Sequence, residues 1–227
     1  MLEIYLVRHG KTMFNTIGRS QGWSDSPLTK KGEEGIRKLG RGLKKEGIHF
    51  DRAYSSDSGR TIQTTNLILK NSDNEGIPYQ TDPRIREWCF GSFDGDYSAV
   101  LFGDLLPRIL DEVSDEKSST KDLANAIYDV DTAGWAETWE ELSTRILEGF
   151  HDIAKEAQEL SAKKIVVVSH GMTISTFLEL LDPEGGPHPY NLDNGSVTKF
   201  SYEDGKFTVE KVGDMSYQEL DRKTLEK

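Results

Sequence analysis

The chain opens Met1-Leu2-Glu3-Ile4-Tyr5-Leu6-Val7-Arg8-His9-Gly10. Leu2, Ile4, Leu6 and Val7, with Tyr5 among them, form a short run of branched and aromatic residues, which predicts a buried strand. Arg8, His9 and Gly10 follow without a break. They therefore stand at a strand's carboxyl end, where open α/β sheets place their ligands. A cation, an imidazole and a bare backbone N–H at one point suit an anionic, tetrahedral group such as phosphate.

Outward from that stretch, the arrangement recurs near the other end of the chain. Lys164-Ile165-Val166-Val167-Val168 predicts a second strand, closed by Ser169-His170-Gly171, and Thr173 to Leu178 then has the pattern of a helix. Either histidine alone is as readily explained by an imidazole bonded to strand-end backbone. Two strand-ending His-Gly pairs in a chain with five histidines, one of them preceded by Arg8, point instead to a shared site.

Arg8-His9-Gly10 early and Ser169-His170-Gly171 late resemble the histidine phosphatase superfamily, also called the phosphoglycerate mutase-like family. The resemblance runs from Leu2 to about Tyr202. It implies one α/β domain over residues 1–227: a three-layer sandwich with a mostly parallel central sheet and helices on both faces. A helical insertion at about 96–140 would cap the active site and set substrate choice.

The resemblance also assigns residues. His9 becomes the nucleophile. Asn15 has an amide able to donate to a phosphate oxygen, and Gln21 and the Gly22 N–H match a loop that closes over the phosphate. Ser56-Asp57-Ser58-Gly59 offers caps for a helix with Arg60 in its first turn, where helix N–H groups and a guanidinium favour an anion. The spacing from Ser56 to Arg60, then Thr61 and Thr64, matches the family's second phosphate arginine. Arg86-Glu87-Trp88-Cys89-Phe90-Gly91 matches the loop of the general acid, with Glu87 as that acid; Asp94 stands where the pattern has a second Glu. Trp88, Phe90 and Phe93 are expected to desolvate Glu87 and favour its protonated form. Gly10 and Gly171 complete the expected phosphate contacts. A protonated His170 would join Arg8 and Arg60 in supplying positive charge.

Composition narrows the partners. A net charge of −11 argues against nucleic acid or an anionic membrane as a general partner. Any phosphate site must be built locally from a few arginines. The single cysteine, Cys89, rules out an internal disulfide framework and suits a reducing cytoplasm. The apolar start is too short for a signal peptide and lacks a basic leader. No His/Asp/Glu cluster has metal-ligand spacing, and no cofactor is expected. The partner expected is a small-molecule phosphate ester; the sequence is silent on oligomeric state.

Thr29 is expected to cap a helix carrying Ile36, Leu39 and Leu43, with its lysines and arginines as a solvated face. Thr138 to Leu160 has the longest helical pattern. Pro107 is expected to break a helix around Leu101 to Leu110, and Asp111 to Asp122, acidic and serine-containing, reads as exposed or mobile. Trp135 and Trp139 serve equally well as cap lining or as core. Arg84, Arg86 and Trp135 are candidates for contacts beyond the phosphate. His49, His151 and His188 read as structural or surface residues. Glu203-Asp204-Gly205 predicts a hairpin turn between two alternating strands.

The expected chemistry is phosphomonoester hydrolysis through a phosphohistidine. In phosphoglycerate mutases of this family, the acid loop typically reads Glu-Arg-His-Tyr-Gly. Trp88 and Cys89 replace its Arg-His pair, which favours the phosphatase branch over mutase-type transfer. Two rivals remain: a non-catalytic phospho-ligand binder on the same fold, and a metal-dependent hydrolase using His9 and His170.

Overall fold

The computed structural model describes residues 1–111, 119–183 and 192–220. His188, most of the acidic stretch after Asp111, the turn-rich segment beyond Pro183 and the charged C-terminal residues lie outside them.

Among the described residues six strands, numbered β1 to β6 along the chain, form one sheet in the order β3-β2-β4-β1-β5-β6. β1 (Leu2–Arg8), β2 (Arg52–Ser55), β3 (Tyr79–Thr81) and β4 (Lys164–Ser169) run parallel, while β5 (Val197–Glu203) and β6 (Lys206–Asp214) extend the β1 edge antiparallel. Asp204 and Gly205, with φ of 50° and 76°, make the turn between the last two. Two successive positive φ values match the twist of a tight hairpin.

Alternation along the strands builds a core on each face. Leu2, Ile4 and Leu6 of β1 pack in one core with Ile165 and Val167 of β4, whereas Tyr5 and Val7 pack in the other with Val166 and Val168. Helix α7 (Trp139–Glu159) brings Leu142, Ile146, Phe150 and Ile153 to the first core, and α8 (Gly171–Leu181) brings Ile174, Phe177 and Leu178. On the second face lie α2 (Lys30–Lys45), with Ile36, Leu39 and Leu43, and α3 (Gly59–Asn71), with Ile68 and Leu69. Each such side chain, fully buried, contributes roughly 1.5–3 kcal/mol. The result is the three-layer sandwich expected.

Caps set the helix starts. The Thr29 hydroxyl accepts from Gly32 N–H at the head of α2, and Thr138 and Glu141 form a reciprocal capping box on α7. The basic face of α2 is laced by Arg37–Glu33 and Arg41–Glu34 pairs. Both are partly exposed, so they contribute little stability. His151 packs on the Phe207 ring, and His49 is exposed.

Past β1, the short α1 (Met13–Ile17) and its loop are tied by isolated bridges, Thr12 to Leu28 and Arg19 to Tyr97. The expected insertion holds α4 (Ser98–Val100), a π-helical turn at Leu101–Leu105, α5 (Leu106–Asp111) and α6 (Thr120–Val130). Pro107 does not break the path. It falls in the first turn of α5, and the wider π turn precedes it. Trp135 is 74% exposed and lines no part of the site, while Trp139 packs partly buried on the core. Helix α9 (Ser216–Leu220), the last among the described residues, packs on α2.

Candidate active site

Strand register brings the two histidines together. Arg8 pairs with Ser169 across parallel β1 and β4, and His9 N–H donates to Ser169 O at 3.0 Å. The residues that follow, His9 and His170, are therefore neighbours, with ring centroids 5.3 Å apart. Both are buried, at 3% and 0% exposure.

Hydrogen bonds fix the form of each ring. His9 Nδ1 lies 2.9 Å from Gly10 O. A carbonyl only accepts, so Nδ1 carries the proton and Nε2 keeps its lone pair. Burial, then the nearby Arg60 and Arg8 charges, hold the His9 pKa well below the ordinary imidazole value. Arg60 Nε donates to His170 Nδ1 at 3.1 Å, and His170 Nε2 lies 2.6 Å from Ser56 Oγ. A guanidinium only donates, so His170 is neutral with its hydrogen on Nε2. Ser56 Oγ in turn lies 2.9 Å from Thr61 Oγ1, which donates onward to backbone carbonyls. Burial, then Arg60, keep the His170 pKa well down. The expected protonated His170 is corrected: a cation there would sit dehydrated against a second cation.

Arg60 is wholly buried, and all five of its N–H groups are engaged. Beyond His170, they donate to Ser24 O, the Asp25 carboxylate, Gln21 O and Gly22 O. Its charge stands beside the histidines, but its donors hold the 21–25 loop. Asp94 fastens the same loop from the other side, accepting from Gly22, Trp23 and Ser24 N–H and from Phe90 N–H. The Gln21 side chain bonds Thr12 and Ser26 hydroxyls. In the opposite amide orientation it keeps those partners and also accepts from Arg60 Nε.

Two backbone N–H groups expected at the phosphate are likewise occupied. Gly10 N–H donates to Thr64 Oγ1 at 2.9 Å, and Gly22 N–H to Asp94 at 2.8 Å. Close packing explains both glycines: a Cβ on Gly10 would lie 2.7 Å from Ile36, and one on Gly22 2.2 Å from Trp88 O.

A hollow of about 400 Å³ opens beside His9, and Arg8, Asn15, Gln21, Glu87 and Gly171 line it too. Arg60, His170, Gly10 and Gly22 stand behind this wall. Arg8 Nη1 donates to Leu192 O, but its Nε is buried with no partner among the described residues. An orphaned guanidinium N–H is costly unless an anion completes it. Gly171 makes room for it, since a Cβ there would lie 3.2 Å from Arg8 Nε. Asn15 Oδ1 accepts from Thr12 N–H and from Asn194, whose amide also donates to His9 O.

Glu87 is 6% exposed. Its carboxylate accepts from Thr173 N–H at 2.9 Å, Met172 N–H at 3.2 Å, Thr173 Oγ1 at 3.0 Å and Trp88 N–H at 3.2 Å. The expected aromatic jacket is thus replaced by donors, chiefly the N-terminus of α8. Trp88 turns its indole to Thr176, and Trp23 donates to Glu87 O. Arg145 of α7 staples the loop from beneath, donating to Arg84 O, Arg86 O and Glu87 O while pairing with Glu137. Glu137 accepts in turn from Cys89 N–H. Arg84 is committed to Asp82 and Asp152, and Arg86 to Asp57, so neither reaches the hollow. Among the described residues no group of three or more His, Cys, Asp or Glu could hold a metal ion.

Ser56, Thr173, Arg145, Glu137 and Asn194 were not legible as site residues. Thr173 carried one usable signal, its place in the first turn of a helix after His170; Arg145 and Asn194 carried none.

Residues 4–215 match the family described as histidine phosphatase superfamily (branch 1). The chain is 33% identical to a probable phosphoglycerate mutase GpmB of Enterobacter sp. (strain 638), over 96% of this chain and 95% of that one. It is 30% identical to the broad-specificity phosphatase YOR283W of Saccharomyces cerevisiae, over 96% and 87%. Among solved structures, a phosphoglycerate mutase from Bacillus anthracis str. Sterne superposes with a TM-score of 0.90 at 41% identity, covering 97% of this chain and 96% of that one.

Proposed function

The chain belongs to the histidine phosphatase superfamily, and from that premise we propose that it hydrolyses small phosphomonoesters through a phosphohistidine on His9. One observation carries the reading. A neutral imidazole, with Nδ1 held by Gly10 O and Nε2 unprotonated, lines the same hollow as the unpartnered Nε of Arg8 and the Glu87 carboxyl.

In the first step His9 Nε2 attacks phosphorus and the ester P–O bond breaks. Beside the negative charge of the bound phosphate, Glu87 takes up a proton, which it gives to the departing alkoxide. In the second step a water attacks the phosphohistidine and gives its proton to Glu87, and the N–P bond breaks. Phosphate leaves, and His9 is restored. Arg8 and Gly171, at the head of α8, line the hollow where charge on the phosphoryl oxygens must be stabilised. Neutral His170 and engaged Arg60 fix the wall behind His9 and supply field rather than contact.

Hydrolysis is favoured over transfer between phosphoglycerates by the acid loop. Trp88 and Cys89 replace the mutases' Arg-His pair, and both are buried at 2% and 4% exposure. Burial raises the Cys89 thiol pKa to about 11, so neither residue offers a charge to a substrate carboxylate. Among the described residues no helix is long and apolar enough to cross a membrane, and a cytoplasmic setting accords with the lone, buried Cys89.

The test is product analysis. The wild type should release inorganic phosphate from an aryl phosphate, and His9→Ala should be slower by about a thousandfold or more. With 3-phosphoglycerate and a bisphosphoglycerate, isomerisation outpacing phosphate release would instead assign the transferase reading. Phosphate binding without turnover would assign a binder.

A further inference from the structure

The walls of the hollow divide by chemistry. The strand ends and their loops contribute Arg8, His9, Asn15 and Glu87. The insertion contributes Phe102 and Leu123, and Phe90 and Met172 adjoin them. We infer that the alcohol this site accepts is apolar: an aryl or longer alkyl phosphate rather than a sugar phosphate or a phosphorylated hydroxy acid. The inference rests on the phosphatase reading above and names the substrate class for the same site.

Phe90 and Phe102 meet edge to face, with centroids 5.5 Å apart at 86°. That contact fixes one wall as aromatic surface. Phe102 sits on the π-helical turn, and Leu123 comes from α6. Ser98 N–H donates to Gly18 O, and Arg19 bridges to Tyr97, so the end of α1 meets the start of α4 at this side of the hollow. Those two short elements carry Ile17, Tyr97 and Val100, exposed at 48%, 54% and 43%.

Polar recognition is sparse on this side. Arg19 is the cation that lines it, and its guanidinium lies over the Tyr97 ring at 4.6 Å while donating to Gly95 O. A substrate carboxylate is normally met by a free guanidinium fork, and a sugar by several convergent donors and acceptors. Among the described residues the insertion side of the hollow offers neither; Ser20 and Ser98 hydroxyls lie 3.5 Å from each other. An apolar alcohol would remove Phe102 and Leu123 from water.

A homologous series of primary alkyl phosphates tests this, because ethyl, butyl, hexyl and octyl phosphate have the same leaving-group chemistry. With the full-length enzyme, kcat/KM should rise with chain length, by up to about fourfold per methylene until the hollow is filled. Hexyl phosphate should exceed 3-phosphoglycerate and glycerol 3-phosphate. Phe102→Ala and Leu123→Ala should each lower the octyl-to-ethyl ratio by about tenfold, and Phe102→Leu should keep most of it. That ratio is internal to each preparation, so partial misfolding of a variant does not move it. A flat series, or 3-phosphoglycerate above hexyl phosphate, would overturn the inference while leaving the phosphatase reading intact. If no ester in the set releases phosphate, the phosphatase reading itself falls.

Discussion

Arg60 Nε donates to His170 Nδ1 across 3.1 Å inside the protein. The bond works only if that nitrogen has no hydrogen, so it selects the neutral tautomer whose Nε2–H reaches Ser56 Oγ. His9 is held neutral by separate means, through Gly10 O and the surrounding cations. The two rings therefore lie side by side as uncharged groups, next to the buried guanidinium of Arg60 and the buried Nε of Arg8.

This arrangement makes the fold sensitive to acid. The folded pKa of both histidines lies below the unfolded value near 6.5. Above that pH both states are neutral and no stability is lost. As pH falls below it, the unfolded chain takes up protons that the native chain refuses, so stability falls until the folded values are reached. Each histidine adds at most about 1.4 kcal/mol per pH unit to that slope. Denaturant titrations between pH 6.5 and 5 should show a shallower decline in His170→Asn than in wild type. Equal slopes would mean that His170 is already charged in the native state.

Arg60→Lys should be costly although it keeps the charge. A lysine has three donors on a flexible stem and cannot span His170, Gln21 O, Gly22 O, Ser24 O and Asp25 together. A loss of about 3 kcal/mol is expected. Amides of residues 21–25 should exchange faster, measurable by hydrogen exchange. Wild-type protection there would show that Asp94 alone holds the loop.

Thr173→Val removes one hydroxyl of nearly unchanged shape. That hydroxyl lies 3.0 Å from Glu87 Oε1 and 2.7 Å from Arg86 O. Losing it frees the Glu87 carboxyl to rotate, so kcat should fall on the order of tenfold with little change in KM. Thr173→Ser should restore most of the rate. A change confined to KM would place Thr173 in ground-state binding.

Arg145→Met should destabilise by about 2–3 kcal/mol, because it leaves the largely covered Glu137 carboxylate with only the Cys89 N–H. The double variant Arg145→Met, Glu137→Met should recover part of this. Thermal unfolding of the four proteins of that cycle measures the coupling, and strict additivity would show that the pair is not linked.

The layered fold was legible because each strand of the β1–β4 pair alternates cleanly between two cores and ends in a His-Gly pair. The meeting of His9 and His170 follows from register alone. The hydrogen-bond commitments were not legible. Gly10, Gly22 and Arg60 were expected to present N–H groups to a ligand, but Thr64, Asp94 and four loop residues and His170 already accept them. Those partners come from other elements, and no sequence period connects them. The donors around Glu87 were missed similarly: Met172 and Thr173 come from α8, far along the chain, and the Trp88 indole turns to Thr176. Pro107 misled because a π turn can precede it without breaking the helical path.

The most direct test of His9 as the phosphoryl acceptor is rapid acid-free quenching of enzyme mixed with a 32P-labelled aryl phosphate. The account predicts transient label approaching about one phosphate per chain, stable in base, lost in acid and located on His9 by peptide mapping, with none in His9→Ala. Label on another residue, or undiminished label in His9→Ala, would contradict it.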